Sequence, residues 1–451
     1  MRPKQQFADL GLFDAKVPRY TSYPTAPHFS NDIDAGFFES CLSEIPENSE
    51  VSLYVHVPFC RRLCWFCACR TQGTQTASPV AAYVEVLQSE LALLKSRLPK
   101  GVSLSRLHWG GGTPTLLTAD MITALSESIF ELAPMAEGGE FSVEIDPNEI
   151  DETRMDALAA ASMNRASIGV QDFDRGIQET IGRLQSYEVT KRAIDMIRDR
   201  GVESLNADIL FGLPHQTPEK ITESVQKLLS LSPDRVALYG YAHVPWMAKR
   251  QQLIPSDALP TPEERLALFE TAAELFSWDG YDAIGIDHFA LPTDGLAKAA
   301  QKGLLRRNFQ GYTDDQADVL IGVGASSISK FPQGYAQNAP ATAAYTKAVQ
   351  SGAFSVSRGH EFSDEDRLNA RLIEAVMCDF AVNAKEIVET FAISQDDLRD
   401  IFDAVNLKFD GLLNVSDEGL LVPTEVRPLT RLIARAFDAY DQSKARHSAA
   451  I

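Results

Sequence analysis

The chain has 451 residues, and 42 Lys and Arg against 62 Asp and Glu give it a formal net charge of −20. Hydrophobic residues make up 45% of the chain and charged residues 23%, so it can bury a sizeable core, which excludes disordered and collagen-like proteins. Because non-specific nucleic-acid binding depends on Lys and Arg neutralising phosphates, the negative charge also predicts no nucleic-acid partner.

The N-terminus lacks the apolar stretch of a signal peptide, and nowhere do about 18 apolar residues run together to span a membrane. We therefore expect a cytoplasmic protein. Four of the six cysteines fall between Cys60 and Cys69. Since the cytosol keeps thiols reduced, such a cluster indicates metal binding or catalysis rather than disulfide bonds.

Six β-branched runs, each followed by an amphipathic stretch, predict strand–helix units in series. The predicted strands are Val51–Phe59, Arg106–Trp109, Glu140–Asp146, Arg165–Gln171, Leu205–Phe211 and Arg235–Ala242. The predicted helices are Val84–Leu98, Met121–Leu132, Glu152–Ala161, Val189–Arg198, Glu219–Leu231 and Pro262–Trp278. This alternation predicts an α/β fold, interpreted as a partial (βα)6, TIM-like barrel whose chemistry lies on the loops after the strands' carboxyl ends.

Two later runs, Ala283–Phe289 and Asp318–Ile328, predict further strands packed beside the barrel. An N-terminal extension precedes the barrel, and a mainly helical region follows it. The expected divisions are an N-terminal substrate-gating segment, a barrel core, flanking strands with a connection, and a C-terminal helical domain. Their bounds are 1–46, 47–280, 281–359 and 360–451.

The C-terminal region has the pattern of a winged helix. Ser363 and Asp366 form a capping-box-like helix start, helical patterns continue to Lys408, and a hairpin at 412–422 precedes a last helix near Leu429–Tyr440. Residues 361–451 carry 10 Lys and Arg against 18 Asp and Glu, or −8, which opposes DNA binding. We expect a lid or docking role.

The cysteine loop, Cys60-Arg-Arg-Leu-Cys64-Trp-Phe-Cys67-Ala-Cys69, directly follows the first predicted strand. Thiolates at this spacing can wrap one soft metal centre, either zinc or an iron–sulfur cluster. Structural zinc usually takes two C-x-x-C knuckles a dozen or more residues apart, and the sequence has no second knuckle, which favours the cluster. If three cysteines hold a 4Fe-4S cluster, one iron stays open to a small molecule.

With the aromatic Phe66 before the third cysteine, the set Cys60, Cys64 and Cys67 resembles the signature loop of radical S-adenosylmethionine (SAM) enzymes. The resemblance implies that these three thiolates hold a 4Fe-4S cluster whose fourth iron binds the amino and carboxylate groups of SAM. It also implies reductive cleavage of SAM to methionine and a 5′-deoxyadenosyl radical.

Further motifs narrow the family. They are Val17–Thr25, His108–Thr115, Ile168–Phe173, Asp208–Pro214, Tyr241–Pro245, Asp287–Ala290 and Arg307–Thr313. Together with Cys69 they are similar to oxygen-independent coproporphyrinogen III dehydrogenases over nearly the whole chain. The resemblance implies oxidative decarboxylation of two propionates of coproporphyrinogen III to vinyl groups in heme biosynthesis, giving protoporphyrinogen IX.

The resemblance also assigns two SAM molecules to one site. From the residues alone, the Gly110–Gly112 run could be a tight turn or a ligand loop, and Glu144 a cofactor ligand or a solvated strand end. Residues that match contacts of the cluster-bound molecule are Tyr54, Gly111, Glu144 and Ile328. Residues that match contacts of the second molecule are Phe66, Gly112, Thr113, Gln171, Arg183, Asp208 and Ala242.

For the substrate, the candidates are Arg19, Tyr20, Tyr23, Arg307 and Gln310, since guanidinium groups bind carboxylates bidentately and tyrosines could cover the tetrapyrrole. The cofactor supplies the radical, so we expect no catalytic side chain except Cys69, which is not a cluster ligand in the resembled family. The resemblance implies a low-potential electron donor, flavodoxin- or ferredoxin-like, and a monomer.

One alternative is a heme-binding chaperone on the same scaffold without dehydrogenase activity. That branch typically lacks the fourth cysteine and the 17–25 segment, and both are present here. A second alternative is a simple iron–sulfur electron carrier, in which four cysteines would close the cluster and the glycine loop would have no purpose.

Overall fold

The computed structural model describes residues 4–441 and residue 450. Its N-terminal segment contains helices α1 (Lys4–Asp9) and α2 (Ala35–Ser43), with a short 3-10 helix at Ala26–His28 between them. Helix α2 begins at Asp34, whose carboxylate accepts hydrogen bonds from the N–H groups of Gly36 and Phe37.

The barrel is built on six long parallel strands. The first eight strands of the chain are β1 (Glu50–Val57), β2 (Phe59–Cys60), β3 (Gln72–Gly73), β4 (Ser103–Gly111), β5 (Met135–Ile145), β6 (Arg165–Gln171), β7 (Ser204–Phe211) and β8 (Arg235–Gly240). Strands β1 and β4–β8 are parallel neighbours in that order. Strands β2 and β3 pair separately on either side of the cysteine loop.

Helices cover the outer face of these strands. They are α3 (Ser78–Lys95), α4 (Ala119–Leu132), α5 (Glu152–Ala160), α6 (Arg175–Thr180), α7 (Tyr187–Arg198), α8 (Pro218–Leu229) and α9 (Pro262–Trp278). Several begin at a Ser or Thr whose hydroxyl accepts a backbone N–H, as Thr261 does in the capping box of α9. Apart from α6, their apolar faces pack on Leu53, Val55 and the other outward residues of the strands in one continuous core. Ile177 of α6 packs instead with Leu210 and Tyr241 in a smaller cluster.

The chain after α9 extends the sheet at both edges. Its elements are β9 (Asp282–Ile284), β10 (His288–Ala290), α10 (Gly295–Gln301), β11 (Arg306–Asn308), β12 (Gly311–Thr313), β13 (Leu320–Val323), β14 (Ile328–Phe331), β15 (Gly334–Asn338), α11 (Thr342–Gln350) and β16 (Val356–Glu361). The twelve-stranded order is β16-β15-β14-β13-β1-β4-β5-β6-β7-β8-β10-β9. Strands β16 and β9 lie at the two ends of this order and do not pair with each other, so the barrel is open. This confirms the predicted partial barrel.

Two predicted strands were wrong in detail. Residues 283–289 form parts of two antiparallel strands, β9 and β10, and residues 318–328 reach from β13 into β14. Each break follows a glycine with positive φ, Gly285 at +55° and Gly324 at +101°, where the chain turns back on itself.

The C-terminal region contains α12 (Asp364–Asp379), β17 (Ala381–Asn383), α13 (Ala384–Thr390), α14 (Gln395–Lys408), β18 (Asn414–Ser416), β19 (Gly419–Leu421) and α15 (Thr430–Arg435). The predicted capping box at Ser363 and the predicted hairpin are present. The last helix is shorter than expected and ends at Arg435. Beyond it, Asp438 and Ala439 bond the Tyr20 and Tyr23 hydroxyls, contacts that hold this stretch outside a helix.

A second hydrophobic core joins the two ends of the described chain. Phe7, Leu12 and Val17 of the N-terminal segment share it with Phe402, Leu429 and other residues of the C-terminal helices. The part of the N-terminal segment up to Tyr23 is therefore packed as part of the C-terminal unit, whereas Phe38 and Leu42 of α2 belong to the core of the barrel. Among the helices that the structure describes, none combines the length and apolar character needed to cross a membrane.

Candidate cluster and cofactor site

The carboxyl ends of the parallel strands place polar side chains inside the barrel. On β1 the strand period of two sends Leu53 and Val55 into the outer core and leaves Tyr54 and His56 inside. The Tyr54 hydroxyl lies 3.0 Å from His56 Nδ1, and its ring stacks on His108 of β4, with centroids 5.8 Å apart.

The cysteine loop leaves β2 at the mouth of the barrel and is fastened to three other segments. The Trp65 N–H donates to the Ile181 carbonyl over 2.9 Å, and Gln251 Nε2 donates to the Phe66 carbonyl over 2.6 Å. The Gln72 N–H returns to the Pro58 carbonyl over 2.8 Å. These bonds preorganise the loop before any ligand binds.

The loop brings three thiols to one place. Burial and the nearby Cys67 and Cys64 thiols raise the pKa of Cys60 to about 11, although the hydrogen bond with Thr113 of the glycine loop opposes this rise. Among the described residues, no three His, Cys, Asp or Glu side chains converge closely enough for a single metal ion. A four-iron cluster fits this donor set, because each thiolate binds a different iron.

Arg183 places a positive charge beside the thiols of the cysteine loop. Its Nη1 lies 3.6 Å from Cys64 Sγ, and its Nη2 donates to the Gly169 carbonyl over 2.9 Å. Its Nε is buried and has no hydrogen-bond partner in the described part of the chain. A buried guanidinium with a spare donor, beside a thiol, suits an anionic ligand.

The glycine loop is packed too tightly for side chains. Gly111 has φ +112°, and a Cβ there would lie 2.5 Å from the His56 ring. A Cβ on Gly112 would lie 2.6 Å from the Phe59 carbonyl oxygen. Glycines therefore let the backbone pass between β1 and the cysteine loop and offer its polar groups to a ligand.

Glu144 ends β5 beside this loop. Its carboxylate accepts the Gly111 N–H over 3.1 Å and lies 3.4 Å from His108 Nε2. Burial raises the pKa of Glu144, but the bonds from His108 and Gly111 outweigh it and lower the pKa overall. An ionised carboxylate here can bind an ammonium or ribose hydroxyls.

Residues on β6–β8 complete the other side of the mouth. Gln171 has φ +70° where the β6–β7 register shifts, and Asp208 of β7 accepts from Asn206 Nδ2 over 2.8 Å. The Ala242 carbonyl accepts from Gln251, which also binds Phe66, so these two predicted cofactor residues share one anchor. Their role in binding a second SAM stays a prediction.

The remaining predicted cofactor residue, Ile328, begins β14. Its backbone atoms lie 2.8–3.0 Å from where a Cβ of Gly322 would stand, and Gly322 pairs with Tyr54. Ile328 therefore borders the β1 side of the mouth. Cys69 lies on the loop, where its N–H donates to Cys67 Sγ over 3.4 Å.

The substrate candidates divide into two groups. Arg19 and Arg307 meet, since Arg307 Nε donates to the Arg19 carbonyl over 3.3 Å, and Gln310 lies on the adjoining β11–β12 hairpin. Tyr20 and Tyr23 are buried with their hydroxyls bonded to Asp438 and Ala439. The hydroxyls of both tyrosines that the sequence predicted to contact substrate are therefore hydrogen-bonded to the C-terminal segment. Their role in binding substrate stays a prediction.

The structure adds residues that the sequence did not single out as site residues. His108 orients Glu144, Asn206 orients Asp208, and Gln251 holds the cysteine loop. His108 could have been found, because it opens a quoted motif and its spacing from Gly110 places both inside the barrel. Gln251 lies in a stretch without periodicity and gives no local signal.

Comparisons with known proteins identify the family of this chain. The profile of the radical SAM superfamily matches residues 54–228. An oxygen-independent coproporphyrinogen III oxidase from Paracoccus denitrificans is 63% identical over 451 residues, covering 100% of both chains. Another from Cereibacter sphaeroides is 55% identical over 98% of each.

Among solved structures, coproporphyrinogen III oxidase (HemN) from Escherichia coli, described as a radical SAM enzyme, superimposes with a TM-score of 0.89. It shares 34% identity and covers 95% of this chain and 100% of its own. The chain thus shares its full length with these relatives and its fold with a solved structure. The chain belongs to the oxygen-independent coproporphyrinogen III oxidases of the radical SAM superfamily.

Proposed function

We propose that this chain oxidises coproporphyrinogen III without oxygen, converting two propionate side chains to vinyl groups with loss of two carbon dioxide molecules. From each propionate the SAM-derived radical takes one hydrogen atom, and the loss of carbon dioxide then passes one electron to an external electron acceptor. This is the oxygen-independent coproporphyrinogen III oxidase function of its family in heme biosynthesis. The single observation that carries the proposal is the meeting of Cys60, Cys64 and Cys67 with the glycine loop and Glu144 at one mouth of the barrel.

The superfamily uses a 4Fe-4S cluster and SAM, which when bound supply a carbon-centred radical able to remove a hydrogen atom from a propionate. The chain's part is positioning. Cys60, Cys64 and Cys67 would bind three irons and leave the fourth open. Glu144, held ionised by His108 and Gly111, would take a cationic or hydroxyl group of SAM.

The barrel keeps the reacting groups away from water. Strands β1 and β4–β8 surround the mouth, and the β11–β12 hairpin lies against its interior, where a Cβ on Gly311 would be 3.0 Å from the Tyr239 hydroxyl. Excluding water and oxygen protects a radical, and holding it against one C–H bond selects the site of attack.

A second SAM molecule would lie on the β6–β8 side. Supporting this part of the proposal are the spare Nε donor of Arg183 and the carboxyl group of Asp208. Two molecules make chemical sense, since each propionate must lose one hydrogen atom. Equilibrium dialysis of the reconstituted protein should give two SAM per chain, falling to one in Arg183→Gln; one per chain in the parent would contradict it.

For partners, the proposal includes a low-potential electron donor of the flavodoxin or ferredoxin type and a monomeric chain. Light scattering on the reconstituted protein tests the second point, because a dimer would give twice the expected mass. Reduction of the cluster by purified flavodoxin or ferredoxin, followed by its absorbance, tests the first.

The experiment for the activity is anaerobic incubation of reconstituted protein with coproporphyrinogen III, reductant and SAM. Protoporphyrinogen IX should form, and the Cys60→Ala, Cys64→Ala and Cys67→Ala variants should lose both product and cluster absorbance. Cys41→Ala, at a buried site outside the loop, is the control and should keep both. Tight heme binding without product would point to a chaperone instead.

A further inference from the structure

A group of charged and aromatic side chains on the β8 side of the barrel is separate from the residues proposed to hold the iron–sulfur cluster or SAM. It gathers residues from four separate segments: Arg19, Tyr239, Asp287, His288 and Arg307. Three of the sequence motifs given above, at 17–25, 287–290 and 307–313, contribute to it. This group of side chains therefore needs its own explanation.

Asp287 is the centre of this arrangement. Its Oδ1 lies 2.7 Å from His288 Nδ1, and its Oδ2 lies 3.9 Å from Arg307 Nη2. Burial would raise the pKa of Asp287, but Arg307, His288 and Arg19 lower it to about 2. One carboxylate thus faces two guanidinium groups, which leaves positive charge over.

Arg307 has a donor to spare. Its guanidinium lies 4.3 Å above the Tyr312 ring, and its Nε donates to the Arg19 carbonyl. The side chain is 3% exposed, yet its Nη1 has no hydrogen-bond partner among the described residues. A buried, charged donor left unpaired is unfavourable unless a ligand supplies the acceptor.

This group of side chains borders two cavities and lies near the cysteine loop. Arg307 lines a cavity of about 510 Å³, and Arg19 with Asp287 lines another of about 460 Å³. Arg19 is close enough to Cys69 and Tyr239 for their charges to affect its pKa, which burial lowers. Each of the two arginines therefore borders a cavity that could hold part of a ligand, and Arg19 also lies near the cysteine loop.

We propose that Arg307 and Arg19 form a subsite for one propionate carboxylate of the tetrapyrrole, with Asp287 as the positioning residue beside Arg307 and the Gly240 carbonyl as the acceptor that holds Arg19. This deepens the proposed function and rests on it. Planar guanidinium groups bind a carboxylate through paired N–H bonds, which a lysine cannot reproduce. The subsite also places positive charge where a tetra-anionic substrate needs it in a protein of net charge −20.

The test is titration of the reconstituted holoenzyme with coproporphyrin III, the stable oxidised form of the substrate, followed by its fluorescence. Arg307→Lys should weaken coproporphyrin III binding about tenfold. Arg19→Lys should have the same effect, and it tests the same subsite if the Arg307→Lys variant does not fold. Arg192→Lys, at an exposed position on α7, makes the same change away from both cavities and should bind like the parent.

SAM carries a carboxylate too, so SAM cleavage is measured without tetrapyrrole. Both variants should still form 5′-deoxyadenosine at the parent's rate. Unchanged coproporphyrin binding in both variants would overturn the subsite, and so would loss of this cleavage with unchanged tetrapyrrole binding. If the parent enzyme itself makes no protoporphyrinogen, the proposed function fails, which is distinct from an active parent with an unaffected Arg307→Lys variant.

Discussion

Two carboxyl groups in the same mouth of the barrel have opposite pKa shifts. Burial raises the pKa of both Glu144 and Asp208, but His108 and the Gly111 N–H more than offset it at Glu144. At Asp208 burial and the charge of Glu144 dominate over the bond from Asn206, which raises the pKa to about 7. One group is therefore ionised at neutral pH and the other is about half protonated, a difference set by hydrogen-bond donors.

The raised pKa predicts a pH dependence of stability. Below about pH 4 Asp208 is protonated in both the folded and unfolded protein, so it has no effect. Between about pH 4 and 7 only the unfolded chain ionises, so Asp208 lowers stability progressively, by at most about 4 kcal/mol above pH 7. Asp208→Asn should remove this loss, so its advantage over the parent should grow from pH 4.5 to 8.

Urea unfolding under anaerobic conditions, without added SAM, measures this difference. Asp257→Asn, at an exposed position, should follow the parent at every pH. An Asp208→Asn variant whose stability relative to the parent did not change with pH would show that Asp208 titrates normally. The variant should also bind SAM less well, since it loses a charge that faces the ligand.

The glycine loop permits a matched test of close packing. Gly111→Ala places a methyl group 2.5 Å from the His56 ring, which Tyr54 and the Arg70 carbonyl hold in place. Gly201 also has positive φ, +75°, but nothing lies within 4 Å of its Cβ position. Gly201→Ala should cost about 1 kcal/mol of backbone strain, and Gly111→Ala about 2–4 kcal/mol with loss of SAM binding. Equal costs in urea unfolding would contradict the packing argument.

At the scale of elements, a buried glutamate joins helix α3 to the turn between β13 and β14. Glu90 is 2% exposed and accepts from the Gly324 N–H over 2.8 Å, from Asn338 Nδ2 over 2.7 Å and from the Tyr345 hydroxyl over 2.7 Å. The same turn leads into Ile328. A helix on the outer face thus fixes a turn beside the cofactor mouth.

This link predicts that replacing Glu90 lowers the free energy of unfolding by more than an ordinary surface substitution does. Glu90→Gln replaces one acceptor oxygen by an NH2 group that faces donors, leaving buried groups unpaired at a cost of about 2–4 kcal/mol. Glu85→Gln, an exposed position one turn earlier on α3, should change stability by less than about 0.5 kcal/mol. Chemical denaturation of both variants checks the prediction, and similar small effects would show that the network is dispensable.

At the scale of the whole molecule, the two ends of the chain depend on each other. Leu12 and Val17 are buried with residues of the C-terminal helices, and Arg431 donates to the Val17 and Pro18 carbonyls. A gating movement of the N-terminal segment would therefore have to separate a packed core. The predicted gating role must act through a part of the segment outside this core, or through the whole C-terminal unit.

Deleting residues 1–30 should therefore destabilise the C-terminal unit as well as affect turnover. Limited proteolysis should show new cleavage within 360–441 while the barrel and its cluster absorbance persist. Tyr20→Phe, which removes only the hydrogen bond to Asp438, should cost about 1–3 kcal/mol and cause less cleavage. An unchanged protease pattern after the deletion would show that the C-terminal unit folds without the segment.

The sequence by itself determined the open parallel barrel, the cysteine loop and the family. Strands and helices follow from local periodicity, and the proposed cluster ligands Cys60, Cys64 and Cys67 lie within eight positions of one another, so neither requires knowledge of long-range contacts. The Gly110–Gly112 run is equally local, because its close approach to β1 needs residues without Cβ atoms.

Only the tertiary structure decided which distant groups meet. Arg307 contacts Arg19, 288 positions earlier, and Tyr20 bonds Asp438, 418 positions later. It also decided where the strands predicted at 283–289 and 318–328 turn, and which of two carboxyl groups, Glu144 or Asp208, stays ionised. Such outcomes depend on packing, burial and the charges brought near each group, and none of these is a property of a short stretch of sequence.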